Sequence, residues 1–333
     1  MILATHGLIP GSSINKSLKK KKSAEEVEFM ASSKLNNKKN KFIIFLKRLF
    51  REKPIGAVGL LIVILFLFVG IFADFIAPHD YYEMKIPKRL KGPSPEYLFG
   101  NDHFGRDILS RLIGGAQISM IIGISASFMT VFVATFIGLI SGYWGGKIDL
   151  LFQRFVDAVM CFPWLFLVLT IMAMLGSGMF QVAFILGIPW GIANARTVRG
   201  VVLATKENAF VEAAIAAGCS TSRILLIHIL PQLYAPLIIL FTVTLGGAIL
   251  GEATISFLGF GIPPPEPSWG TMLSLEGRKY MERVPMLAIW PGLCLAIVVF
   301  GINMFGDALR DLLDPRLKEG YRLVQKKKEL NIN

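Results

Sequence analysis

Long apolar runs separated by short polar segments dominate the chain from about residue 55 onward. Runs of about 18 or more apolar residues are long enough to cross the hydrocarbon core of a bilayer as a helix. Six spans are predicted, at about residues 55–77, 119–142, 156–175, 180–195, 233–258 and 286–305, of which the fourth is shorter than the rest. Pro163 and Pro189 interrupt the third and fourth, and we expect Pro163 to kink its helix. The pattern predicts an all-α polytopic membrane protein with about six transmembrane helices.

The polar segments give the predicted organisation of the chain. Residues 1–40 are basic and have no apolar core, which favours a disordered cytoplasmic segment. Residues 42–50 mix aromatic and basic side chains, as an interfacial helix or a cytoplasmic extension of the first span would. The predicted parts are 1–40, 41–78 with this helix and the first span, an extracytoplasmic loop at 79–116, a core with five spans at 117–310, and a cytoplasmic tail at 311–333.

Composition and charge support a membrane protein over a nucleic-acid-binding one. Hydrophobic residues make up 53% of the chain and charged residues 17%, whereas soluble domains carry about 25% charged residues. The net charge of +12 lies largely in residues 16–53 and in Lys326–Lys328. Basic residues mark the cytoplasmic side of membrane proteins, so we expect both termini in the cytoplasm, facing anionic lipid, and no nucleic-acid partner.

The stretch from residue 205 to 231 joins the fourth and fifth predicted spans. Its first part, Glu207–Ala217, is rich in Ala, Glu and Val and predicts a short helix. Gly218 can end this helix, because glycine adopts the left-handed conformation without steric cost. Ser220 or Thr221 can cap a second helix, which we expect to end before Pro231. A rigid helix–turn–helix of this kind suits docking into a groove on a partner protein.

Few charged side chains lie within or beside the predicted spans. Asp107 and Arg111 are four residues apart and are predicted to pair on one helix face. Arg154 and Asp157 are predicted to neutralise each other at the inner end of the third span. Glu252 lies inside the fifth span and must face protein or a water-filled path. For Glu252 the residues favour structural pairing and leave direct contact with a substrate open.

No catalytic, cofactor-binding or metal-binding set is found in the sequence. The phosphate-binding pattern GxxxxGK[ST], the zinc pattern HExxH and the nucleophile pattern GxSxG are all missing. The three cysteines are far apart and the four histidines are scattered. The chain is therefore predicted to be a passive path, not an enzyme, with its energy supplied from elsewhere.

Two adjacent segments carry a resemblance to a known family. EAAIAAG at 212–218, followed by HILP at 228–231, resembles the EAA signature of ABC importer permeases. His228 stands where the family has an apolar residue, and HILP is usual in the oligopeptide and dipeptide branch. The stretches 100–112, 195–200, 250–261, 263–270 and 314–316 are similar to the same branch. The positions that fit the signature spacing are Glu212, Ala213, Ala214, Gly218, Leu230 and Pro231.

The resemblance implies the second, C-type permease subunit of a peptide importer with the type I permease fold. Its implied partners are a homologous B-type permease, two cytoplasmic ATPases that bind the ATP, and an extracytoplasmic peptide-binding protein. The implied location is a bacterial or archaeal cytoplasmic membrane. Residues of the EAA region are implied to couple to the ATPase, namely Glu212, Ala213, Ala214, Gly218, His228 and Pro231. The loop implied to face the binding protein contains Pro263, Pro264, Pro265, Pro267 and Trp269, with Trp269 as an aromatic tip or interfacial anchor.

Three alternatives stay open at this point. Another cargo of the same branch, such as nickel, opines or sugar oligomers, would share these motifs. A self-sufficient secondary carrier would be expected to show inverted repeats, and no convincing repeat is found. An intramembrane enzyme would need the catalytic residues that the sequence lacks. A requirement for an ATPase partner separates the permease from the last two.

Overall fold

The computed structural model describes residues 45–313, except for the side chains of residues 275–277. The chain divides into two compact units, residues 1–53 and 54–333. In the first unit residues 45–52 are helical, and Arg48 pairs with Glu52 at 2.9 Å. The predicted disordered segment at 1–40 and the motif at 314–316 lie outside the described residues, as does most of the predicted tail.

The described part of the second unit is helical, and its only β pairing is an isolated bridge between Asn101 and Asp107. This agrees with the predicted all-α class. The helices are α1 Pro54–Ile71, α2 Ala73–Ile76, α3 Ile108–Trp144, α4 Gly146–Met160, α5 Trp164–Leu175, α6 Met179–Lys206, α7 Ala209–Ala216, α8 Thr221–Phe257, α9 at 269–280 and α10 Met286–Leu313. A short 3₁₀ helix at Ile86–Lys88 lies in the segment between α2 and α3.

Helices α3 and α6 pack side by side and run in the same direction. A Cβ placed on Gly187 of α6 would lie 2.8 Å from the carbonyl oxygen of Ala126, and one on Gly142 of α3 would lie 2.8 Å from Val202. The missing side chains let the two backbones approach closely, as small residues do between membrane helices. Because α3 and α6 are parallel, α4 and α5 together must return the chain to the end where α6 starts.

The other long helices alternate in direction around this pair. Helix α8 runs opposite to α3, α10 runs opposite to α8, and α1 runs opposite to α10. Facing residues are Gly123 with Ile249, Gly246 with Asn303, and Gly301 with Ile62. One end of the bundle, here the proximal end, holds the start of α1, the end of α10 and residues 205–221. The other, here the distal end, holds residues 77–107 and 258–285.

Among the described helices, four are long and apolar enough to cross a membrane, namely α1, α3, α8 and α10. The bent pair α4–α5 counts as a fifth. Helix α6, which holds the predicted fourth span, is 28 residues long but contains Gln181, Asn194 and two arginines, and it falls outside that set. Because α6 packs parallel to α3, it still runs once through the bundle, from the distal end to the proximal end.

The third span differs from the prediction of one kinked helix over 156–175. Helix α4 ends at Met160, α5 begins at Trp164, and the two axes differ by 86°. Pro163 has no amide hydrogen and disfavours helical backbone at the residue before it, so the chain breaks there. Helix α4 also starts at Gly146, ahead of the predicted span.

The core lies between the helices in separate layers along the bundle. At the proximal end, residues of α3, α6, α7 and α8 form one buried apolar cluster. Its members are Ala134, Val198, Val202, Val211, Ala214, Ile224, Ile229 and Leu233. This cluster fixes the short helix α7 to the bundle, because burying its apolar side chains is favourable only in that position.

Candidate functional site

Residues 205–231 form a helix, a glycine turn and the start of a second helix. Gly218 has φ +75°, in the left-handed region. The amide of Cys219 donates to the carbonyl of Ala214 at 3.1 Å, and the amide of Gly218 donates to Ile215 at 2.9 Å. These two bonds are those of a Schellman motif, in which a left-handed residue closes the helix. The turn at Gly218 is therefore built as predicted.

The start of α7 is tied to the end of α6, and the end of α6 is tied to the end of α3. It begins at Ala209, later than the predicted Glu207, because Glu207 still caps the end of α6. The side-chain amide of Asn208 donates to the carbonyl of Thr205 at 3.0 Å. Lys206 Nζ donates to the carbonyl of Tyr143 at 2.7 Å, near the end of α3. Displacement of α7 would therefore act on both long helices.

The second helix does not end before Pro231, and that prediction is wrong. Ser220 occupies the predicted N-cap position with extended backbone, but its side chain makes no capping hydrogen bond. From Thr221 the helix continues for 37 residues to Phe257, so the predicted second helix and the predicted fifth span are one element. A π-helical turn at Ile224–Ile229 widens the helix just before Pro231. This wider turn relieves the clash that a proline ring makes with the preceding turn.

The coupling residues inferred from the sequence differ in exposure. Glu212 and Ala213 are exposed, and a Cβ on Gly218 would meet no atom within 4 Å. Ala214 is buried in the proximal cluster, so its methyl group holds α7 on the bundle and does not face outward. His228 and Pro231 are partly buried. The outward surface also includes apolar side chains that the signature does not specify, namely Phe210, Ile215, Leu226 and Ile227.

Ion pairs join α4 to α6 at the proximal end. Arg154 lies 3.3 Å from Asp157, as predicted, and Arg196 of α6 also binds Asp157. Arg199 Nε donates to Asp149 at 2.6 Å, and a second guanidinium nitrogen contacts the other carboxylate oxygen. Asp149 and Arg199 are 50 residues apart in sequence, so spacing gave no sign of the pair.

The proline-rich loop is only partly exposed. Pro263, Pro264 and Pro265 are exposed, whereas Pro267 is buried. Trp269 is 2% exposed, and its indole nitrogen donates to the carbonyl of Leu112 at 3.0 Å. The prediction of Trp269 as an aromatic tip or interfacial anchor is therefore wrong.

The burial of this half of the loop has a steric cause in α3. A Cβ on Gly114 would lie 2.8 Å from Pro267, and one on Gly115 would lie 2.7 Å from Trp269. The two glycines leave space on the surface of α3, and the proline and indole rings fill it. Only residues 263–265 of the loop remain as an outward surface.

Glu252 is fully buried and bonded to hydroxyl groups. Its Oε1 accepts from Ser256 Oγ at 2.7 Å and from Ser268 Oγ at 2.6 Å. This is structural pairing, the favoured of the two interpretations. Sequence reasoning missed both serines as its partners, although Ser256 lies one helical turn away.

The segment 77–107 is held by buried ion pairs that were not all predicted. Arg106 binds Asp102 at 2.6 Å, and Arg111 Nε lies 3.6 Å from the same carboxylate. The predicted pair of Asp107 with Arg111 is wrong. Asp107 is the N-cap of α3, and its carboxylate accepts from Ser110 N at 2.9 Å, as capping residues do.

Hydrogen bonds join the segment 77–107 to residues 258–285. Tyr82 donates to Glu266 at 2.8 Å, and Arg89 donates to Tyr280 at 3.1 Å. Burial, followed by the hydrogen bond to the Glu266 carboxylate, raises the pKa of Tyr82 well above its usual range. The two distal segments therefore form one surface.

No group of three or more metal-ligating side chains occurs within the described part of the chain. The three cysteines are free thiols.

Two protein families match parts of this chain. Residues 134–319 match the family described as the inner membrane component of binding-protein-dependent transport systems. Residues 45–93 match the N-terminal transmembrane domain of oligopeptide transport permease C.

Two curated relatives align with most of the chain. The dipeptide transport system permease protein DppC of Alkalihalophilus pseudofirmus is 39% identical over 268 residues, covering 80% of this chain and 88% of the relative. The glutathione transport system permease protein GsiD of Escherichia coli O157:H7 is 40% identical over 274 residues, covering 81% of this chain and 89% of the relative.

Among solved structures, a chain of the MetNI methionine ABC transporter in an inward-facing conformation has a TM-score of 0.45 at 17% identity. The match covers 61% of this chain and 96% of that one. The family match and the two relatives, together with the multi-pass helical bundle, fix the class of the protein. The chain belongs to the family of ABC importer permeases, in the branch of the C-type oligopeptide and dipeptide subunits, and it is a membrane transport subunit and not an enzyme.

Proposed function

We propose that this chain is the C-type transmembrane subunit of an importer that carries dipeptides or oligopeptides across the cytoplasmic membrane. One observation carries the coupling part of the proposal. The face of α7 with Glu212, Ala213 and Gly218 is open at the proximal end, directly before the long helix α8. An open face on a short, firmly attached helix is suited to a groove on another protein.

The proposed complex contains a B-type permease, two ATPases that bind ATP, and a peptide-binding protein. The ATPases bind at the proximal end, which is the cytoplasmic side. Pro54, the first residue of α1, and Leu313, the last residue of α10, lie at this end with α7. The dense basic residues between 16 and 53 precede α1 and support the same orientation, with both termini in the cytoplasm.

In the proposed cycle, ATP binding closes the two ATPases and moves α7 with them. Asn208 connects the start of α7 to the end of α6, Lys206 connects the end of α6 to α3, and the turn at Gly218 connects α7 to α8. The spans therefore tilt from an inward-open to an outward-open arrangement. Peptide enters the cavity between the two permeases from the binding protein, and hydrolysis resets the helices.

The individual side chains have distinct proposed roles. Glu212 makes a polar contact with the ATPase and Ala213 allows close approach, because both are exposed. Gly218 provides the turn and leaves room for the partner surface. At the distal end the exposed prolines 263–265 face the binding protein.

Peptide is the proposed cargo because the two relatives are named for dipeptide and glutathione transport. The test is uptake into proteoliposomes that contain this chain, its B-type partner and the two ATPases. We expect uptake of labelled di- or oligopeptide that requires both ATP and the binding protein. Uptake of nickel instead of peptide would show that the proposed cargo is wrong. Transport by this chain alone without ATP would overturn the permease proposal in favour of a self-sufficient carrier.

A further inference from the structure

Two chains of hydrogen bonds connect the ends of the distal loop 262–270 to one carboxylate oxygen. At one end the amide of Ile262 donates to Ser256 Oγ at 3.2 Å, and that hydroxyl donates to Glu252 Oε1 at 2.7 Å. At the other end the amide of Gly270 donates to Ser268 Oγ at 3.2 Å, and that hydroxyl donates to the same oxygen at 2.6 Å. Each end of the loop is thereby connected to Glu252 through one serine hydroxyl, that of Ser256 in α8 at one end and that of Ser268 in the loop at the other.

The loop ends also lie directly against α8. A Cβ on Gly270 would lie 2.5 Å from the carbonyl oxygen of Ala253, and one on Gly261 would overlap Ser256. A buried carboxylate is costly unless hydrogen bonds compensate for its lost hydration. An apolar residue at position 252 would avoid that cost, but it would leave the hydroxyl groups of Ser256 and Ser268 without their shared acceptor.

Glu252 lies on the helix that leaves the Gly218 turn. Helix α8 is continuous from Thr221 to Phe257. At a rise of about 1.5 Å per residue, Glu252 is roughly 45 Å from Thr221 along the helix axis. The carboxylate therefore joins the distal loop to one continuous helix whose other end begins at the proposed coupling helix.

We infer that Glu252 is a positioning residue that holds both ends of the loop 262–270 on α8, so that this loop and the proposed coupling end of α8 move together. The identity of the partner at the loop, a peptide-binding protein, rests on the proposed function. The position of the loop on α8 does not depend on that partner.

The experiment uses the full complex with four variants of this chain. Glu252→Leu removes the shared acceptor, and Glu252→Gln keeps an oxygen that can accept from both serines. Ser268→Ala breaks the chain at the Gly270 end alone. Thr254→Val is the matched control on the same helix, because the Thr254 hydroxyl donates only to the carbonyl of Leu250 in α8, at 2.8 Å.

Two readouts are taken for each variant. The first is the concentration of binding protein that half-maximally stimulates ATPase activity. The second is the mobility of a nitroxide at position 264 in a background without the three native cysteines, Cys161, Cys219 and Cys294. We expect Glu252→Leu to raise the half-maximal concentration about tenfold and to mobilise the nitroxide, because a buried acceptor for two hydrogen bonds is lost. Ser268→Ala shifts both readouts in the same direction, and Glu252→Gln restores both to within about threefold of the wild type.

The inference is overturned if Glu252→Leu and Thr254→Val leave the nitroxide equally immobile, or if Glu252→Gln is as impaired as Glu252→Leu. If the complex with Glu252→Leu does not assemble, the Ser268→Ala variant tests the inference instead. Unchanged mobility of the nitroxide in that variant also overturns the inference. If the binding protein does not stimulate the ATPase activity of even the wild-type complex, the proposed contact between this loop and the binding protein is wrong. The nitroxide readout then still tests the role of Glu252.

Discussion

The indole nitrogen of Trp269 donates to the main-chain carbonyl of Leu112, 157 residues earlier in the chain, at 3.0 Å. This bond fixes the start of α9 to the first turns of α3. It also places the indole ring in the space left by Gly115. The distal loop is consequently part of the helix bundle, and only its proline tip projects.

Replacement of Trp269 should destabilise the protein. Trp269→Phe keeps most of the ring packing and loses the hydrogen bond, for which we expect a cost of about 1 kcal/mol. Trp269→Ala leaves a cavity in a buried cluster and should cost about 3–5 kcal/mol. Thermal unfolding of the detergent-solubilised protein measures both. The control is Trp164→Ala at a 43% exposed residue, and an equal loss in that variant would contradict the special role of Trp269.

Gly218→Asp should abolish transport while the protein still inserts in the membrane. The added side chain enters open space in this chain and so obstructs a docked ATPase, and any residue but glycine is strained at φ +75°. Co-purification with tagged ATPases is the measurement. Gly259→Asp is a matched control at the distal end, with φ +88° and equally open space. Normal peptide uptake by a well-expressed Gly218→Asp protein would contradict the proposed role of Gly218 in ATPase docking.

Replacing Pro263, Pro264 and Pro265 with serine should weaken stimulation by the binding protein. Each proline that is lost adds chain entropy worth about 0.4–1 kcal/mol, so the three together should raise the half-maximal concentration on the order of tenfold. ATPase activity titrated with the binding protein measures the effect. Pro93→Ser with Pro95→Ser, also exposed at the distal end, serves as control. Equal shifts in the two sets would count against a specific role for the loop tip.

The Asp149–Arg199 pair should contribute measurably to the stability of the proximal end. Its side chains are 16% and 29% exposed and bind through two contacts, so a double-mutant cycle with alanine should give a coupling energy of about 1–2 kcal/mol. The exposed pair Arg154–Asp157 is the comparison and should give about 0.5 kcal/mol or less. Thermal unfolding of the single and double variants measures both cycles. Equal coupling energies for the two pairs would contradict the prediction that the less exposed pair is the stronger one.

Much of the fold follows from local sequence, because apolar runs must satisfy their backbone groups as helices inside a bilayer. The turn at Gly218 was also predictable, since its geometry depends on the residues immediately around it. The prolines were harder to interpret. Pro163 breaks a helix, whereas Pro231 lies inside one, directly after a π turn at Ile224–Ile229 that has no sequence signal of its own.

Long-range contacts explain the remaining differences. The burial of Trp269 depends on Gly114 and Gly115 in a different helix, and the pairing of Asp149 depends on Arg199. No local pattern joins such residues. Ala214 fits the family signature at the expected spacing, but its burial could be known only once α7 was placed against α6 and α8.

The empty space around Gly218 has a genetic consequence. No residue of the described part of this chain lies within 4 Å of a Cβ at that position, so no second substitution there can make room for a larger side chain. Suppressors selected after Gly218→Asp should therefore be extragenic and should map to the surface of the ATPase that receives α7. Their positions would trace the docking groove on the partner without a structure of the complex.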